Sequence, residues 1–250
     1  MIIMARVARK ESSSSIYHVM IRGINKQVIL EDDEDNKKFL EVLKVCKELS
    51  GYRIYAYCLM GNHIHLLLKV EKEGLEQIFK RLGARYVYYF NQKYKRSGHL
   101  FQDRFKSEPV ENEDYLITVL RYIHNNPVKA GMSVSVDQYQ WNSYNQYIHF
   151  ASLVDTELVL GMMGIDEFIY LHHQADNETV LDIKEDNFRM TDAEAKMIVK
   201  KVCGTESSND FLYLDIQDRN RFIKELKGKG LSIRQLARIT GVSKGIIEKI

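Results

Sequence analysis

Two β-type segments, residues 52–59 and 63–70, lie on either side of the short turn Met60-Gly61-Asn62. The first segment contains three tyrosines, and the second reads HIHLLLKV. Aromatic and β-branched residues favour strands, and a glycine followed by an asparagine favours a turn between them. The two segments are therefore predicted to form a hairpin, which belongs in an antiparallel sheet.

Further strands and helices are predicted around this hairpin. Residues 16–22 (IYHVMIR) and the weakly alternating residues 100–107 are predicted as strands. Helical patterns cover residues 31–51, 74–98 and 113–128. The order β-α-β-β-α-β-α predicts the α+β class: a ferredoxin-like antiparallel sheet with helices on one face, followed by a helical C-terminal region.

The helix over residues 113–128 leaves two questions open at its ends. Asn112 or Asp114 would cap its first turn. Pro127 biases the preceding residue, Asn126, away from helical geometry. The sequence therefore does not fix the direction of the Asn126 side chain.

Composition indicates a globular chain rather than a membrane protein. The chain has 250 residues, of which 45% are hydrophobic and 28% are charged, so it can bury a sizeable core. It has no apolar run long enough to span a bilayer, and its start lacks the apolar centre of a secretory signal. Three scattered cysteines suggest reduced thiols. We therefore expect a cytoplasmic protein with no membrane partner.

Charge is distributed in blocks, although the formal net charge is only +2. Residues 76–108 carry eight Lys or Arg against three acids, and residues 218–249 carry nine against three. Between them, residues 155–194 carry eleven acids against two basic residues. Two basic blocks predict a polyanion partner that is contacted at two places, although each block is also compatible with a solvated helix face.

Residues 231–250 follow the helix-turn-helix pattern. Residues 232–237 would open the first helix, Gly241 would lie at the turn, and Ser243 would cap the second helix. This pattern predicts DNA binding, and an ordinary helical hairpin is the alternative. The chain ends within the predicted second helix, so a truncated region is also compatible with the sequence. The residues expected to pack the two helices together are Leu231, Ile233, Leu236, Ala237, Ile239, Val242, Ile246 and Ile247.

His63 and His65 open the second strand of the hairpin with one residue between them. Alternate side chains of a strand point to the same face, so the two imidazoles would lie side by side. Two adjacent imidazoles can supply half of a metal site. The alternative is that both are ordinary residues of a half-exposed strand.

Tyr115, Val119, Tyr122 and Asn126 recur at helical spacing and would share one stripe of the third predicted helix. A tyrosine and an asparagine one turn apart can act on the same phosphate, with the phenol oxygen as nucleophile and the amide oxygen on a metal. Tyr122 and Tyr115 are both candidate nucleophiles. Each tyrosine could instead be a core or rim aromatic, and Asn126 could simply mark the helix end.

Two motifs taken together, GNHIHLLLKV and RYIHNNPVKAGM, resemble the single-tyrosine HUH transposases. The resemblance is closest to the REP-associated tyrosine transposases, covers roughly residues 15–145, and extends to the segments SGHLFQDRFKS and WNSY. It implies a ferredoxin-like fold and a transposase that cleaves and rejoins single-stranded, hairpin-ended DNA. It also implies that Tyr122, ranked above Tyr115, forms a 5′-phosphotyrosine intermediate. The ligands that it implies for a divalent metal, Mg²⁺ or Mn²⁺, are His63, His65 and Asn126.

The resemblance and the charge blocks together predict three regions. Residues 1–148 are the expected HUH-type catalytic domain, residues 149–205 an acidic helical connector, and residues 206–250 a helix-turn-helix DNA-binding region. The expected partners are hairpin-forming single-stranded DNA and, through the C-terminal region, duplex DNA. The oligomeric state is left open.

The basic helix over residues 74–98 suits single-stranded DNA, because cations can contact the backbone and rings can stack on bases. Its aromatic residues are Tyr86, Tyr88, Tyr89, Phe90 and Tyr94. Two other functions are compatible with the same patterns. One is a DNA-binding regulator without catalysis, and the other is an RNA-binding protein, because a sheet with aromatic residues also binds RNA.

Overall fold

The computed structural model describes residues 10–102, 104–174, 192–204, 208–231 and 233–250. Residues 175–191 of the predicted acidic connector, and Ser232 at the predicted start of the helix-turn-helix, lie outside the described residues. Within the described residues, no helix is both long enough and apolar enough to cross a membrane.

The described part of the chain is built around a four-stranded antiparallel sheet. Its strands are β1 (Ile16–Arg22), β2 (Arg53–Met60), β3 (His63–Lys69) and β4 (Lys106–Pro109), in the order β2-β3-β1-β4. The predicted hairpin consists of β2 and β3, and Gly61 makes its turn with a left-handed φ of 56°. The strand order confirms the α+β class with a ferredoxin-like antiparallel sheet.

Two helices lie on one face of this sheet and a third lies on the other. They are α1 (Asp33–Ser50), α2 (Leu75–Lys93) and α3 (Glu113–Lys129). Ile21 of β1 lines a cavity with residues of α2, whereas His65 of β3 contacts Tyr122 of α3. Ile21 and His65 point to opposite faces, because the residue paired with His65 is Met20. Helices α1 and α2 pack together as the helical layer of the ferredoxin-like sheet, and α3 covers the face that carries the histidines.

The fourth strand is shorter and later than predicted. A strand is predicted over residues 100–107, whereas the structure has β4 at Lys106–Pro109 and an isolated bridge at Phe101. The first part of that prediction is therefore wrong. The aromatic residues of the segment are used in side-chain packing instead, since the ring of Phe105 lies 4.4 Å from the ring of Phe79 of α2.

Local signals position α3. The side-chain Oδ1 of Asn112 accepts a hydrogen bond from the backbone N–H of Tyr115 at 2.8 Å, so Asn112 rather than Asp114 is the N-cap. Pro127 lies inside the helix, which continues for two more residues, so the proline does not move Asn126 out of helical geometry. Because proline has no N–H, the last turn of the helix lacks one backbone hydrogen bond.

The aromatic segment after α3 packs back against β2. The backbone N–H of Leu59 donates to the carbonyl of Trp141 at 2.9 Å, and the N–H of Tyr57 donates to Ser143 Oγ at 2.9 Å. The chain then forms α4 (Tyr144–Ile148) and α5 (Glu157–His173). Buried residues of α5 extend the same hydrophobic core beyond residue 148. The division of the chain into three regions stays a prediction.

The C-terminal residues have a hydrophobic core of their own. Their helices are α6 (Asp192–Cys203), α7 (Ser208–Tyr213), α8 (Ile216–Gly228), α9 (Ile233–Thr240) and α10 (Lys244–Lys249). Gly241 takes a left-handed φ of 74° between α9 and α10, as its predicted place in the turn requires. The predicted burial of Ile246 is wrong, because Ile247 takes the core-facing position and leaves Ile246 51% exposed. Ser243 precedes α10, but its side chain makes no capping hydrogen bond.

Candidate active site

His63 and His65 lie on β3 with their side chains on the same face of the sheet. Their ring centroids are 5.0 Å apart. His65 is fully buried, whereas His63 is half-buried at the start of the strand. The strand therefore presents two neighbouring imidazoles at one end of the sheet.

A second group holds each of these imidazoles by a hydrogen bond. His63 Nδ1 donates to the side-chain Oδ1 of Asn62 at 2.7 Å. His65 Nδ1 is hydrogen-bonded at 2.9 Å to Nε2 of His18, a fully buried residue of β1. A hydrogen bond at one ring nitrogen, here Nδ1, is typical of metal-binding histidines, which ligate the metal through the other ring nitrogen. His65 Nε2 is buried and has no hydrogen-bond partner among the described residues.

Tyr122 of α3 lies against these histidines. Its ring centroid is 5.7 Å from that of His65 and 5.9 Å from that of His18, and both contacts are edge-on. Tyr122 is 3% exposed, and Nζ of the exposed Lys129 lies 5.0 Å from its ring centroid. The structure therefore brings the predicted nucleophile next to His65, one of the two predicted imidazole ligands, and places a cation beside it.

The two other polar residues of the predicted stripe have different surroundings. Asn126 is buried one helical turn after Tyr122, and residues four apart lie on the same side of a helix. Tyr115 precedes Tyr122 on α3, and its hydroxyl lies near the carboxylate of Glu108 of β4. Burial first, and then this carboxylate, raises the pKa of Tyr115 above its ordinary value. Asn126 thus shares one side of α3 with Tyr122, whereas Tyr115 is engaged with another strand.

Burial keeps the three histidines of this group neutral at neutral pH. Burial lowers the pKa of His18 to about 3. Burial, followed by the nearby charge of Arg22, lowers the pKa of His63 to about 3. Burial also lowers the pKa of His65 well below its usual value. A neutral imidazole has a bare ring nitrogen, which is the form that binds a metal.

The donor atoms of these residues fit a divalent metal. Within the described ranges, no cluster of three or more His, Cys, Asp or Glu side chains is placed to hold a metal ion. The predicted ligand set contains only two such side chains, and its third member is the amide of Asn126. The buried Nε2 of His65, without a partner in the described part of the chain, is an atom that a metal would satisfy. Imidazole donors suit zinc and similar ions, whereas the amide oxygen and phosphate oxygens suit Mg²⁺ and Mn²⁺, so the donor set is compatible with a divalent metal without selecting one.

A second pair of buried histidines also involves α3. His124 Nδ1 and His172 Nε2 are hydrogen-bonded at 2.9 Å. His124 Nε2 bonds to Ser143 Oγ at 2.7 Å, and His172 Nδ1 donates to the carbonyl of Phe168 at 2.7 Å. All four ring nitrogens are therefore engaged, and the pair joins α3 to α5 and to the segment that packs on β2. No sequence pattern indicates this network, because its two histidines are 48 residues apart.

Part of the positive charge of helix α2 is paired within the protein. Its Arg81 forms an ion pair with Glu73, and its Lys93 forms one with Asp35 of α1. Among the five aromatic residues predicted to stack on bases, Tyr88 is the exposed one, at 70%. The role of this helix in DNA binding stays a prediction.

Known proteins are similar to the region around the site. Residues 11–126 match the model of the family described as Transposase IS200 like. This part of the chain is therefore similar to the IS200-like transposases. A Haemophilus influenzae protein named as a REP-associated tyrosine transposase is 28% identical over 121 residues, which are 44% of this chain and 68% of that protein.

A solved structure shares the fold of this region. The structure of a REP-associated tyrosine transposase bound to a REP hairpin has a TM-score of 0.51 and 15% identity, and covers 61% of this chain and 90% of that chain. A transposase structure from Deinococcus radiodurans has 18% identity over 48% of this chain and 97% of that chain, and its TM-score of 0.35 supports no argument. The resemblance to the REP-associated tyrosine transposases that the two motifs indicate is confirmed.

His18 is the residue of this site that the motifs do not indicate. It is the third residue of β1, where its neighbours in sequence are mostly apolar. Alternation alone places it on one face with Met20 and Arg22. Its contact with His65 depends on the register of β1 and β3, in which Met20 pairs with His65 and His18 lies diagonally beside it. That register cannot be obtained from either strand alone.

Proposed function

We propose that this transposase region cleaves and rejoins single-stranded DNA with hairpin-forming ends through a covalent link to Tyr122. The observation that supports this proposal most is the 5.7 Å separation between the ring of Tyr122 and the ring of His65. A hydroxyl nucleophile beside neutral imidazoles suits transfer of a phosphate to tyrosine with help from a metal.

In the cleavage step, Tyr122 Oη attacks a backbone phosphorus and forms a new P–O bond, while the bond from phosphorus to the 3′-oxygen breaks. The phenol gives up one proton and the departing 3′-oxygen takes up one. The products are a 5′-phosphotyrosine and a free 3′-hydroxyl. A 3′-hydroxyl from another strand can reverse the same step, so joining needs no nucleotide cofactor.

The residues around Tyr122 have distinct proposed roles. His63, His65 and Asn126 would hold Mg²⁺ or Mn²⁺, which when bound polarises the scissile phosphate. A phenol has an ordinary pKa of about 10, so attack at neutral pH depends on such polarisation. Lys129, 5.0 Å from the Tyr122 ring, is placed to contact a backbone phosphate beside the nucleophile.

Hairpin DNA is the proposed substrate because a structure with the same fold is that of a REP-associated tyrosine transposase bound to a REP hairpin. The C-terminal residues are proposed to contact duplex DNA. Their separate hydrophobic core, the glycine turn at Gly241, and the excess of basic over acidic residues at 218–249 support this second contact.

The test uses the full-length chain and a single-stranded hairpin DNA labelled at its 3′ end, because a 5′-phosphotyrosine retains the 3′ part of the strand. With Mn²⁺, the wild-type chain should give a labelled protein band on a denaturing gel, and EDTA should remove it. Tyr122→Phe should give no band, whereas the matched control Tyr115→Phe should behave as wild type.

Two results would contradict the proposal. A band that survives Tyr122→Phe and disappears in Tyr115→Phe would move the nucleophile to Tyr115. No band with the wild type under any divalent metal, together with hairpin binding in a gel-shift assay, would indicate a DNA-binding regulator without catalysis.

A further inference from the structure

His18 contacts both the proposed metal ligand His65 and the proposed nucleophile Tyr122. Its Nε2 lies 2.9 Å from His65 Nδ1, and the two rings are stacked with centroids 5.2 Å apart. Its ring also meets the ring of Tyr122 edge-on at 5.9 Å. His18 is 0% exposed, so it cannot contact DNA or solvent directly. Any influence that it has on the reaction must therefore act through its neighbours.

The single hydrogen bond between the two imidazoles can form in two ways. In one arrangement, His18 Nε2 donates to His65 Nδ1, and the proton of His65 is then on Nε2, which cannot bind a metal. In the other arrangement, His65 Nδ1 donates to His18 Nε2, and His65 Nε2 is bare. Only the second arrangement makes His65 a metal ligand through its outer nitrogen.

The structure gives neither arrangement an advantage in hydrogen bonds. His18 Nδ1 and His65 Nε2, the outer nitrogens of the pair, are both buried without a partner among the described residues. Each arrangement therefore leaves one buried N–H and one bare nitrogen unpaired. A metal cation at His65 Nε2 favours the second arrangement, because this nitrogen is bare only in that arrangement.

We propose that His18 is a positioning residue of the metal site, which accepts the Nδ1 proton of His65 and so presents its bare Nε2 to the metal. This inference rests on the proposed role of His65 as a ligand. Asn62 does the same for His63, because its Oδ1 can only accept the proton of His63 Nδ1. Both imidazoles are then presented through Nε2 by a partner on the opposite ring nitrogen.

The experiment measures Mn²⁺ binding, from the loss of the free-ion signal in electron paramagnetic resonance, by the full-length wild-type chain and two variants. His18→Phe keeps a buried ring against His65 and Tyr122 but removes the acceptor. We expect it to weaken Mn²⁺ binding by about 10- to 100-fold, the usual effect of losing such a partner. His18→Gln places an amide near the position of Nε2 and can accept the same proton, so it should restore most of the affinity.

The controls separate positioning from folding. Each variant should unfold cooperatively with heat, with a lower midpoint for His18→Phe because it leaves His65 Nδ1 buried without its partner. Its binding of hairpin DNA in EDTA should match that of the wild type. Equal Mn²⁺ affinity in wild type and His18→Phe would overturn the role of His18 and leave the proposed function standing. Equal loss in His18→Phe and His18→Gln would also overturn it, because packing rather than the acceptor would then be responsible. No Mn²⁺ binding by the wild type would instead remove the proposed metal site itself.

A measurement on the wild-type chain keeps the inference testable if His18→Phe does not fold. With ¹⁵N-labelled histidine and saturating Mg²⁺, nuclear magnetic resonance should show His65 protonated at Nδ1 and bare at Nε2. A hydrogen-bond coupling should connect His65 Nδ1 with His18 Nε2. A His65 ring that keeps its proton on Nε2 in saturating Mg²⁺ would overturn the inference.

Discussion

The described residues include two buried histidine pairs, in which the hydrogen bond between the two rings is the same but the surroundings of the other two ring nitrogens differ. In each pair, two ring nitrogens are 2.9 Å apart. His124 and His172 form a closed pair, because their outer nitrogens bond to a serine hydroxyl and a backbone carbonyl. His18 and His65 form an open pair, because their outer nitrogens have no hydrogen-bond partner within the described residues.

This difference separates a structural use of the histidine side chain from a functional one. Buried polar atoms are normally hydrogen-bonded, since an unpaired atom loses its hydration without replacement. The closed pair follows this rule and fastens α3 to α5. The open pair departs from it beside Tyr122, where the proposed metal would satisfy the outer nitrogen of His65. We therefore expect changes in the open pair to alter metal binding, and changes in the closed pair to alter stability.

The largest effect is expected from His65→Phe in the open pair. The variant keeps a ring in the buried space but removes a proposed ligand. Its Mn²⁺ affinity should fall by more than about 100-fold, beyond the effect of losing an outer partner, and the covalent DNA adduct should disappear. Mn²⁺ titration and the denaturing-gel assay measure the two effects. An unchanged Mn²⁺ affinity would contradict the proposal that His65 of the open pair binds the metal.

The matching change in the closed pair, His172→Phe, should act on stability instead. It leaves His124 Nδ1 buried without its partner, so the free energy of unfolding should fall by about 1–3 kcal/mol. Denaturant unfolding measures this loss. Mn²⁺ affinity should not change, and a loss comparable to that of His65→Phe would show that the two pairs are not distinct.

Acid should destabilise the folded chain through the same buried histidines. Burial lowers the pKa of His172 from 6.5 to about 4, so below pH 6.5 the unfolded chain binds a proton that the folded chain does not. The stability due to neutral His172 is therefore complete above pH 6.5 and is lost as the pH falls towards 4. The slope per such group is at most about 1.4 kcal/mol per pH unit. In urea unfolding between these pH values, His172→Phe should lose stability less steeply than wild type, and an equal slope would contradict the assignment.

The smallest effect is expected at the partner of the half-buried His63. Asn62→Ala removes the acceptor of His63 Nδ1, but water can reach this imidazole and replace the bond. Mn²⁺ affinity should fall by less than about tenfold, the lower end of the effect of such partners. The same Mn²⁺ titration compares it with His18→Phe. A larger loss of Mn²⁺ affinity in Asn62→Ala than in His18→Phe would contradict the order of effects that burial predicts.

The fold and part of the site could be predicted because they depend on local patterns. The Gly61 turn and the flanking strand residues predict the hairpin, and alternation places His63 and His65 on one face. Helical spacing places Tyr122 and Asn126 one turn apart. These features depend on residues that are close in the chain.

The rest of the site depends on pairings between distant segments. His18 meets His65 through the register of β1 and β3, and His124 meets His172 through the packing of α5 on α3. The sequence alone suggests that the positive charge of α2 is available to bind DNA. In the structure, Lys93 forms ion pairs with acidic residues at the start of a helix that lies far earlier in the chain. No single segment contains the information that fixes these contacts.

The most direct test is to locate the covalent link by mass spectrometry after the wild-type chain reacts with hairpin DNA and Mn²⁺. Trypsin separates the two candidate tyrosines, because Tyr122 falls in the peptide 122–129 and Tyr115 in the peptide 107–121. After nuclease trimming, the nucleotide mass should be found on Tyr122. A nucleotide on the peptide 107–121, or on no tyrosine, would contradict the account.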